Sequence, residues 1–376
     1  MVAGEASGDI LGAGLIEAIR ARCPDAVFEG IGGELMQAAG LESWYPLETL
    51  AVNGFIDPIK RLPKLVEIYL TLRRRLLSER PDVFIGVDFN VFNLIVERAL
   101  HDRGVRTAHY VSPSVYAWRR ARLRRIAKAV DLMLTLFPFE APLYAKRGVR
   151  AVFVGHPLAD EIAVDISRSS ARRVFDIPDE DTVIALLPGS RMGEIRLMAQ
   201  TFLDAAVIIS RELGACRFLV PCVSDEIRSG IEALIDAGGT ALDIRVLQGH
   251  SRDALAACDG AIVKSGTGTL EAMLINRPMV VAYRLGLVSY HIVKRMIHTP
   301  FVALPNILAN RAIVPELLQD EMTPEALAAA LLREMREGSG GVRGALFCGL
   351  HEELRRGASA RAADAVLELA GAARGP

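Results

Sequence analysis

Along the 376-residue chain, short aliphatic and β-branched runs alternate with longer stretches whose apolar residues recur every three or four positions. Runs at 27–28, 83–87, 107–111, 132–136 and 151–154 predict one series of strands. Runs at 183–187, 217–220, 244–247, 261–263 and 279–283 predict a second. Helical periodicity lies between most of them, as at 11–21 and 198–212. This alternation predicts α/β architecture with parallel sheets and crossover helices. Residues 155–178 separate the two series and carry His156-Pro157, a charged segment and Ile177-Pro178, so they read as a domain boundary. A tail rich in Ala, Leu, Glu and Arg reads as helical from 346 onward.

Composition narrows the class. With 51% hydrophobic and 24% charged residues the chain can bury two cores of ordinary size and is not disordered. A net charge of −1 implies no polyanionic partner in bulk, and no nucleic-acid reading motif is present. Cys23, Cys216, Cys222, Cys258 and Cys348 show no metal-ligand spacing and fit a reducing compartment as small buried residues. No apolar run reaches membrane-spanning length, and the first residues do not resemble a signal peptide.

Four strand-to-helix junctions could carry chemistry, because ligands of doubly wound sheets bind where strands end and helix N-termini begin. Lys264-Ser265-Gly266-Thr267-Gly268-Thr269-Leu270-Glu271-Ala272 combines two glycines, which admit close backbone approach, with three hydroxyl donors. Glu271 would repel phosphate but suits ribose hydroxyls; the alternative is a capped turn with no ligand. Pro188-Gly189-Ser190-Arg191 has the same form, with Arg191 placed to neutralise a departing phosphate or simply exposed after a turn. Near the amino end, Gly4-Glu5-Ala6-Ser7-Gly8-Asp9 lacks a full GxGxxG and suits sugar hydroxyls, or helix capping by Ser7 or Asp9. Asp88 stands at the end of the 83–87 run as a lone carboxylate or a helix cap.

Two stretches are basic and aromatic. Tyr116 and Trp118 precede Arg119, Arg120, Arg122, Arg124, Arg125 and Lys128; Trp44, Tyr45, Phe55 and Ile56 flank Lys60, Arg61 and Lys64. A helix after Pro63 carries Leu65, Ile68, Tyr69, Leu72 and Leu76, then Arg73-Arg74-Arg75. These are solvated faces or an adhesive surface for an anionic bilayer.

The ordered segments AGEASGD (3–9), HYVSPSVYAW (109–118), LFPFE (136–140), VGHPLAD (154–160), LLPGSR (186–191), SGTGTLEAML (265–274), RPMVVAYR (277–284) and LPNILANR (304–311) cover nearly the whole chain. Together they resemble the bacterial lipid-A-disaccharide synthases, inverting glycosyltransferases of GT-B architecture. The resemblance implies two Rossmann-like domains with parallel sheets facing a cleft. Residues 1–160 would bind the acceptor and 161–345 the UDP-sugar, with the tail 346–376 packing back on the first domain. It implies UDP-2,3-diacylglucosamine as donor and 2,3-diacylglucosamine 1-phosphate as acceptor, joined β-1,6 with release of UDP. It further implies no metal or other cofactor, and a cytoplasmic protein peripheral to an anionic inner-membrane surface. Substrate contacts would come from Gly4, Glu5, Ser7, Gly8, Gly189, Ser190, Ser265, Gly266, Thr267, Thr269, Glu271 and Asn306, with Arg191 stabilising the leaving group.

Two departures bear on the chemistry. The family has several apolar residues before AGE where this chain has Met1-Val2, so an apolar strand is expected upstream of Met1. The family also reads Asp-Ala-Pro-Asp-Phe-Asn where this chain reads Asp88-Phe89-Asn90-Val91-Phe92-Asn93, so the second carboxylate is replaced by Val91. Asp88 is therefore the expected general base, with Asp9 in reserve. A UDP-sugar transferase with another acceptor, and a binding paralogue without catalysis, are the competing readings. The oligomeric state is open.

Overall fold

The structure, a computed structural model, describes residues 1–50, 58–113, 123–239, 242–286, 299–338 and 340–371. The aromatic-basic cluster at 116–122, and the side chains of Phe55, Ile56, Lys60 and Arg61, lie outside the described residues. The chain forms two compact units, Met1–Asp160 with Leu354–Pro376, and Glu161–Glu353.

The first unit is built on a seven-stranded sheet of order β3-β2-β1-β4-β5-β6-β7. Its strands are β1 (Val2–Ala3), β2 (Phe28–Ile31), β3 (Leu41–Tyr45), β4 (Phe84–Val87), β5 (Thr107–Tyr110), β6 (Leu132–Thr135) and β7 (Arg150–Phe153). The second is built on six strands of order β10-β9-β8-β11-β12-β13. These are β8 (Thr182–Leu187), β9 (Cys216–Cys222), β10 (Asp243–Gln248), β11 (Gly260–Lys264), β12 (Met279–Tyr283) and β13 (Glu316–Leu318). All pairings are parallel among the described residues. Central strands such as β4, β5, β6 and β8 are buried on both faces, which explains their unbroken apolar runs. Of the strands absent from the predicted series, β3 and β13 are sheet edges, where half-exposed residues leave little apolar signal, and the central β1 is only two residues long.

Helices α1 (Ala6–Arg20), α2 (Glu34–Ala38), α3 (Pro58–Glu79) and α4 (Asn90–His101) cover the first sheet. The expected tail is two helices, Gly341–Leu354 and Ala358–Ala370, broken at Gly357, whose φ of 68° favours glycine. Ala358, Ala362, Ala363 and Ala365 of the last helix share a buried core with Leu15, Ile16 and Ile19 of α1. Alanine lets the two helices approach closely, so the last helix packs back on the first unit, whereas the tail up to Glu353 belongs to the second. Asp160 fixes this return: its carboxylate accepts the backbone N–H groups of Gly357 at 2.9 Å and Ala358 at 2.6 Å, capping the last helix.

Helix α3 corrects one expectation. Ile68, Leu72 and Leu76 are buried in a core with Val2, Ile31 and Phe84, so they hold the fold and are not an adhesive face. Arg75 is likewise engaged, over the Trp44 ring at 3.9 Å and against Glu79 at 2.8 Å. No helix among the described residues is long and apolar enough to cross a membrane.

Candidate active site on two strand crevices

Each sheet reverses its strand order once. In the first unit the reversal lies between β1 and β4, paired through Val2–Gly86 and Ala3–Val87. In the second it lies between β8 and β11, paired through Leu187–Val263. The four junctions singled out in the sequence are the carboxyl ends of these four strands, so they meet in pairs at the two crevices where doubly wound sheets bind ligands.

In the first crevice the chain leaves β4 through two consecutive left-handed residues, Asp88 (φ 51°) and Phe89 (φ 44°). Non-glycine residues adopt this conformation at a cost, and such strain concentrates at functional turns. Asn93 secures the turn: its Nδ2 donates to the carbonyls of Val2 and Asp88, both at 3.0 Å. Ser7, at the exposed start of α1, donates to Asp88 Oδ2 at 3.1 Å. Glu5 is exposed at the N-cap of the same helix.

Behind Asp88 lies a buried polar chain that the sequence reading missed. His109 Nδ1 meets Glu97 Oε1 at 2.7 Å, and both side chains are fully buried. His109 Nε2 meets Asn90 Oδ1 at 3.0 Å, and Asn90 Nδ2 reaches toward Asp88 Oδ1 at 3.4 Å. Burial pushes the Glu97 carboxyl up, opposed by His109 and the Gly86 N–H. Gly86 makes room for it, since a Cβ there would stand 2.2 Å from Glu97 Oε1. The signal was available: Asn93 and Glu97, four residues apart, form a polar row beside the apolar i, i+4 stripe of Phe92, Val96 and Leu100 on α4.

The second crevice carries cations and open backbone. Arg191 sits at the N-cap of the helix Met192–Leu213 with its side chain 78% exposed. Lys264, at the end of β11, pairs with Glu194 at 2.8 Å, and Glu194 also accepts the Ser190 N–H at 2.9 Å. Burial raises the Glu194 carboxyl, but Lys264, the Ser190 N–H and the Arg191 charge outweigh it and hold the group below its usual value. Glu194 thus ties the two junctions together. Gly266 precedes the helix Thr267–Leu274, and a Cβ there would meet only Lys264 Nζ, at 3.5 Å. Thr267 is exposed beside it. Glu271 accepts from Arg252 Nε at 3.1 Å, and Arg252 also reaches Glu161 at 2.8 Å, a pairing with no sequence signal.

Seven expected site residues are redirected. Asp9 is committed to α2: its carboxylate accepts the backbone N–H groups of Gly33, Leu35 and Met36 at 2.8–3.1 Å, which leaves it poorly suited as a reserve base. A Cβ on Gly4 would lie 2.3 Å from the Phe89 ring, one on Gly8 3.2 Å from the Val87 carbonyl and one on Gly189 2.7 Å from Glu194, so all three glycines serve packing. Ser265 donates to the Val302 carbonyl at 2.8 Å, and buried Thr269 to that of Gly266 at 2.7 Å, so two of the three hydroxyls hold the turn. Asn306 is 1% exposed and satisfied at both ends, donating to Val314 O and Glu316 and accepting from Ile313 and Val314. Glu316 completes that clasp through the Val302 and Ala303 N–H groups.

Beside the first crevice, α3 and α4 frame a cavity of about 750 Å³. Tyr69, Val91, Leu94 and Ile95 form its apolar part and Arg73, Arg98, Arg103, Arg125 and Lys128 its cationic part. Val91, 65% exposed, thus belongs to an apolar wall rather than to the Asp88 turn.

The profile of the lipid-A-disaccharide synthetase family matches residues 1–366. The lipid-A-disaccharide synthase of Azotobacter vinelandii is 51% identical over 371 residues, covering 98% of this chain and 97% of its own. That of Pseudomonas aeruginosa strain UCBPP-PA14 is 49% identical, with 98% and 97% coverage. Among solved structures, a putative UDP-N-acetylglucosamine 2-epimerase from Listeria monocytogenes superposes with a TM-score of 0.61 at 11% identity, covering 97% and 93% of the two chains. A UDP-GlcNAc 2-epimerase from Methanocaldococcus jannaschii, in complex with UDP-GlcNAc and UDP, gives 0.60 at 13% identity, covering 95% and 96%. At such identities the likeness is one of fold.

Proposed function

The chain belongs to the lipid-A-disaccharide synthase family of glycosyltransferases, and from that membership we propose that it joins UDP-2,3-diacylglucosamine to 2,3-diacylglucosamine 1-phosphate, giving a β-1,6-linked disaccharide 1-phosphate and UDP. The donor diphosphate lies on the second unit, at Gly266, Thr267 and the N-terminus of the helix that Arg191 begins. Arg191 meets the charge that develops on departing UDP, where a fixed cation is worth most. Glu271, oriented by Arg252, takes the ribose. On the first unit Asp88 accepts the proton of the acceptor 6-hydroxyl as its oxygen attacks the anomeric carbon. The C–O bond to UDP breaks with inversion, and Ser7 steadies the second carboxylate oxygen.

The observation that carries this reading is the contrast between the crevices: one presents a lone carboxylate in a strained turn, the other cations and an open glycine. A mass-spectrometric assay with the two acylated substrates tests it. Disaccharide 1-phosphate and UDP in equal amounts are expected; UDP-sugar consumption only with a different acceptor, or UDP binding without turnover, would replace it by the corresponding alternative.

We further propose that the protein works at the cytoplasmic face of the inner membrane. Val66, Leu70, Val91 and Ile95 are exposed on α3 and α4, and Val91 and Ile95 line the cavity together with its cationic residues. Anionic vesicles should retain the protein at low salt and release part of it at high salt, because screening weakens the cationic component. Absence of binding at every salt concentration would count against this location.

A further inference from the structure

We infer that Asn90, His109 and Glu97 form a positioning chain that holds the Asp88 carboxylate ready to accept a proton; this rests on the base role proposed above. The chain is continuous. Glu97 on α4 holds His109 Nδ1 at 2.7 Å, His109 Nε2 holds Asn90 Oδ1 at 3.0 Å, and Asn90 Nδ2 points to Asp88 Oδ1. With the ring proton on Nε2, His109 donates to the Asn90 amide oxygen, and the amide NH2 then faces the carboxylate. Released from His109, the amide is free to turn its oxygen toward Asp88, where it would repel the ionised form.

A buried carboxylate–imidazole pair is costly to desolvate and is weak evidence for stability alone. Here Glu97 Oε2 lacks a hydrogen-bond partner, and β4 has given up a side chain at Gly86 to admit the group. That outlay is directed at one place, the turn of Asp88 and Phe89 with its positive φ angles. It also gives a definite role to Asn90, in the segment where this chain lacks the family's second carboxylate. Asn90 stands beside Asp88 as a neutral donor, one residue before Val91, which holds the place of the second carboxylate. Among the titratable groups on the neighbouring elements are Glu5 and Asp9 at α1, His109 on β5 and Glu97 on α4. Asp9 is turned to α2, Glu5 lies at the exposed helix start, and the other two form the chain.

The experiment is the pH profile of kcat/KM for the full-length protein with both acylated substrates, on wild type, Asp88→Asn, Asn90→Asp, Asn90→Ala, His109→Phe and His109→Gln. Asn90→Asp suits the first turn of α4 and keeps the fold, while adding a like charge beside Asp88. Its acid limb is expected to move up by about one pH unit. Asn90→Ala and His109→Phe are expected to lose about tenfold or more in kcat with UDP affinity retained, and their acid limbs should also rise. His109→Gln can still donate to Asn90 and should restore most of the loss, which a merely structural role would not predict. If Asp88→Asn is inactive while Asn90→Asp and Asn90→Ala keep the wild-type profile, the positioning chain is wrong and the base assignment stands. If Asp88→Asn is fully active, the base assignment falls and takes the chain's purpose with it.

Discussion

The two units reverse strand order in the same way and present opposite chemistry at the reversal. Between β1 and β4 the side chains that meet are Ser7, Asp88, Asn90 and, behind them, His109 and Glu97. Between β8 and β11 they are Arg191, Lys264 and Glu194 around an open Gly266. The glycines differ as much as the charges. Gly4, Gly8 and, in the second crevice, Gly189 are filled against by the protein itself, whereas Gly266 leaves room in front of a helix N-terminus. A shared topology therefore fixes where a ligand can sit, and the side chains at the turn decide whether that place gathers protons or anions. For a reaction that removes a proton from one sugar and a diphosphate from another, this division is what the chemistry needs.

The comparison breaks most sharply at Asp88. Asp88→Asn preserves size and polarity but removes the proton acceptor, so turnover should fall about 10²–10⁴-fold with UDP affinity unchanged. Steady-state kinetics beside UDP titration calorimetry separates the two effects; a loss of UDP binding would mean that the crevices are not divided as proposed. Arg191→Ala should act on the other side, slowing transfer about 10²-fold and weakening UDP. The exposed arginine makes only a 3.7 Å contact to Glu194, so the variant should melt like wild type. Unchanged kinetics would remove Arg191 from the site.

Stability offers a third, smaller handle, confined to the first unit. Burial holds the His156 imidazole down at about 4, against an ordinary 6.5, so the folded form favours the neutral ring. The stabilisation is complete above pH 6.5 and is lost as pH falls through 6.5 toward 4, because the unfolded chain takes up the proton first. The window corresponds to about 3 kcal/mol at most. Glu140, raised to about 8 by burial, works in the opposite sense as pH rises from 4.5, so the histidine is isolated by comparing wild type with His156→Asn. The gap between their denaturation midpoints should narrow from pH 7 to pH 4.5; a constant gap would show that the ring's proton is not involved.

The smallest expected effect is at Val91. Its exposed place on the cavity wall predicts that Val91→Asp alters kcat less than about twofold and favours the α4 N-terminus by about 0.3–1 kcal/mol. A large gain in turnover would instead mark the chain as an enzyme weakened by the missing carboxylate.

Much of this was legible in the chain before any coordinates. Both strand series, the four junctions, Asp88 and Arg191 follow from apolar runs ending in glycine, hydroxyl and charged residues, since local steric preference and burial act on neighbouring positions. What the sequence misassigned shares one feature: the deciding partner is remote. Asp9 finds its hydrogen bonds 24 to 27 residues away, Ser265 finds Val302 37 residues away, and Asn306 closes on the 313–316 segment. Each looked like a free donor or acceptor because a sequence does not show which backbone groups a fold will leave unsatisfied. The same holds for His109, Glu97 and Gly86, brought together from three elements, and for Lys264 with Glu194. The sequence by itself determined the elements and the places where they end. Only the tertiary structure decided which of those ends meet, which polar groups the backbone claims, and which remain to face a substrate, because hydrogen bonds between distant segments exist only once the sheets have ordered their strands.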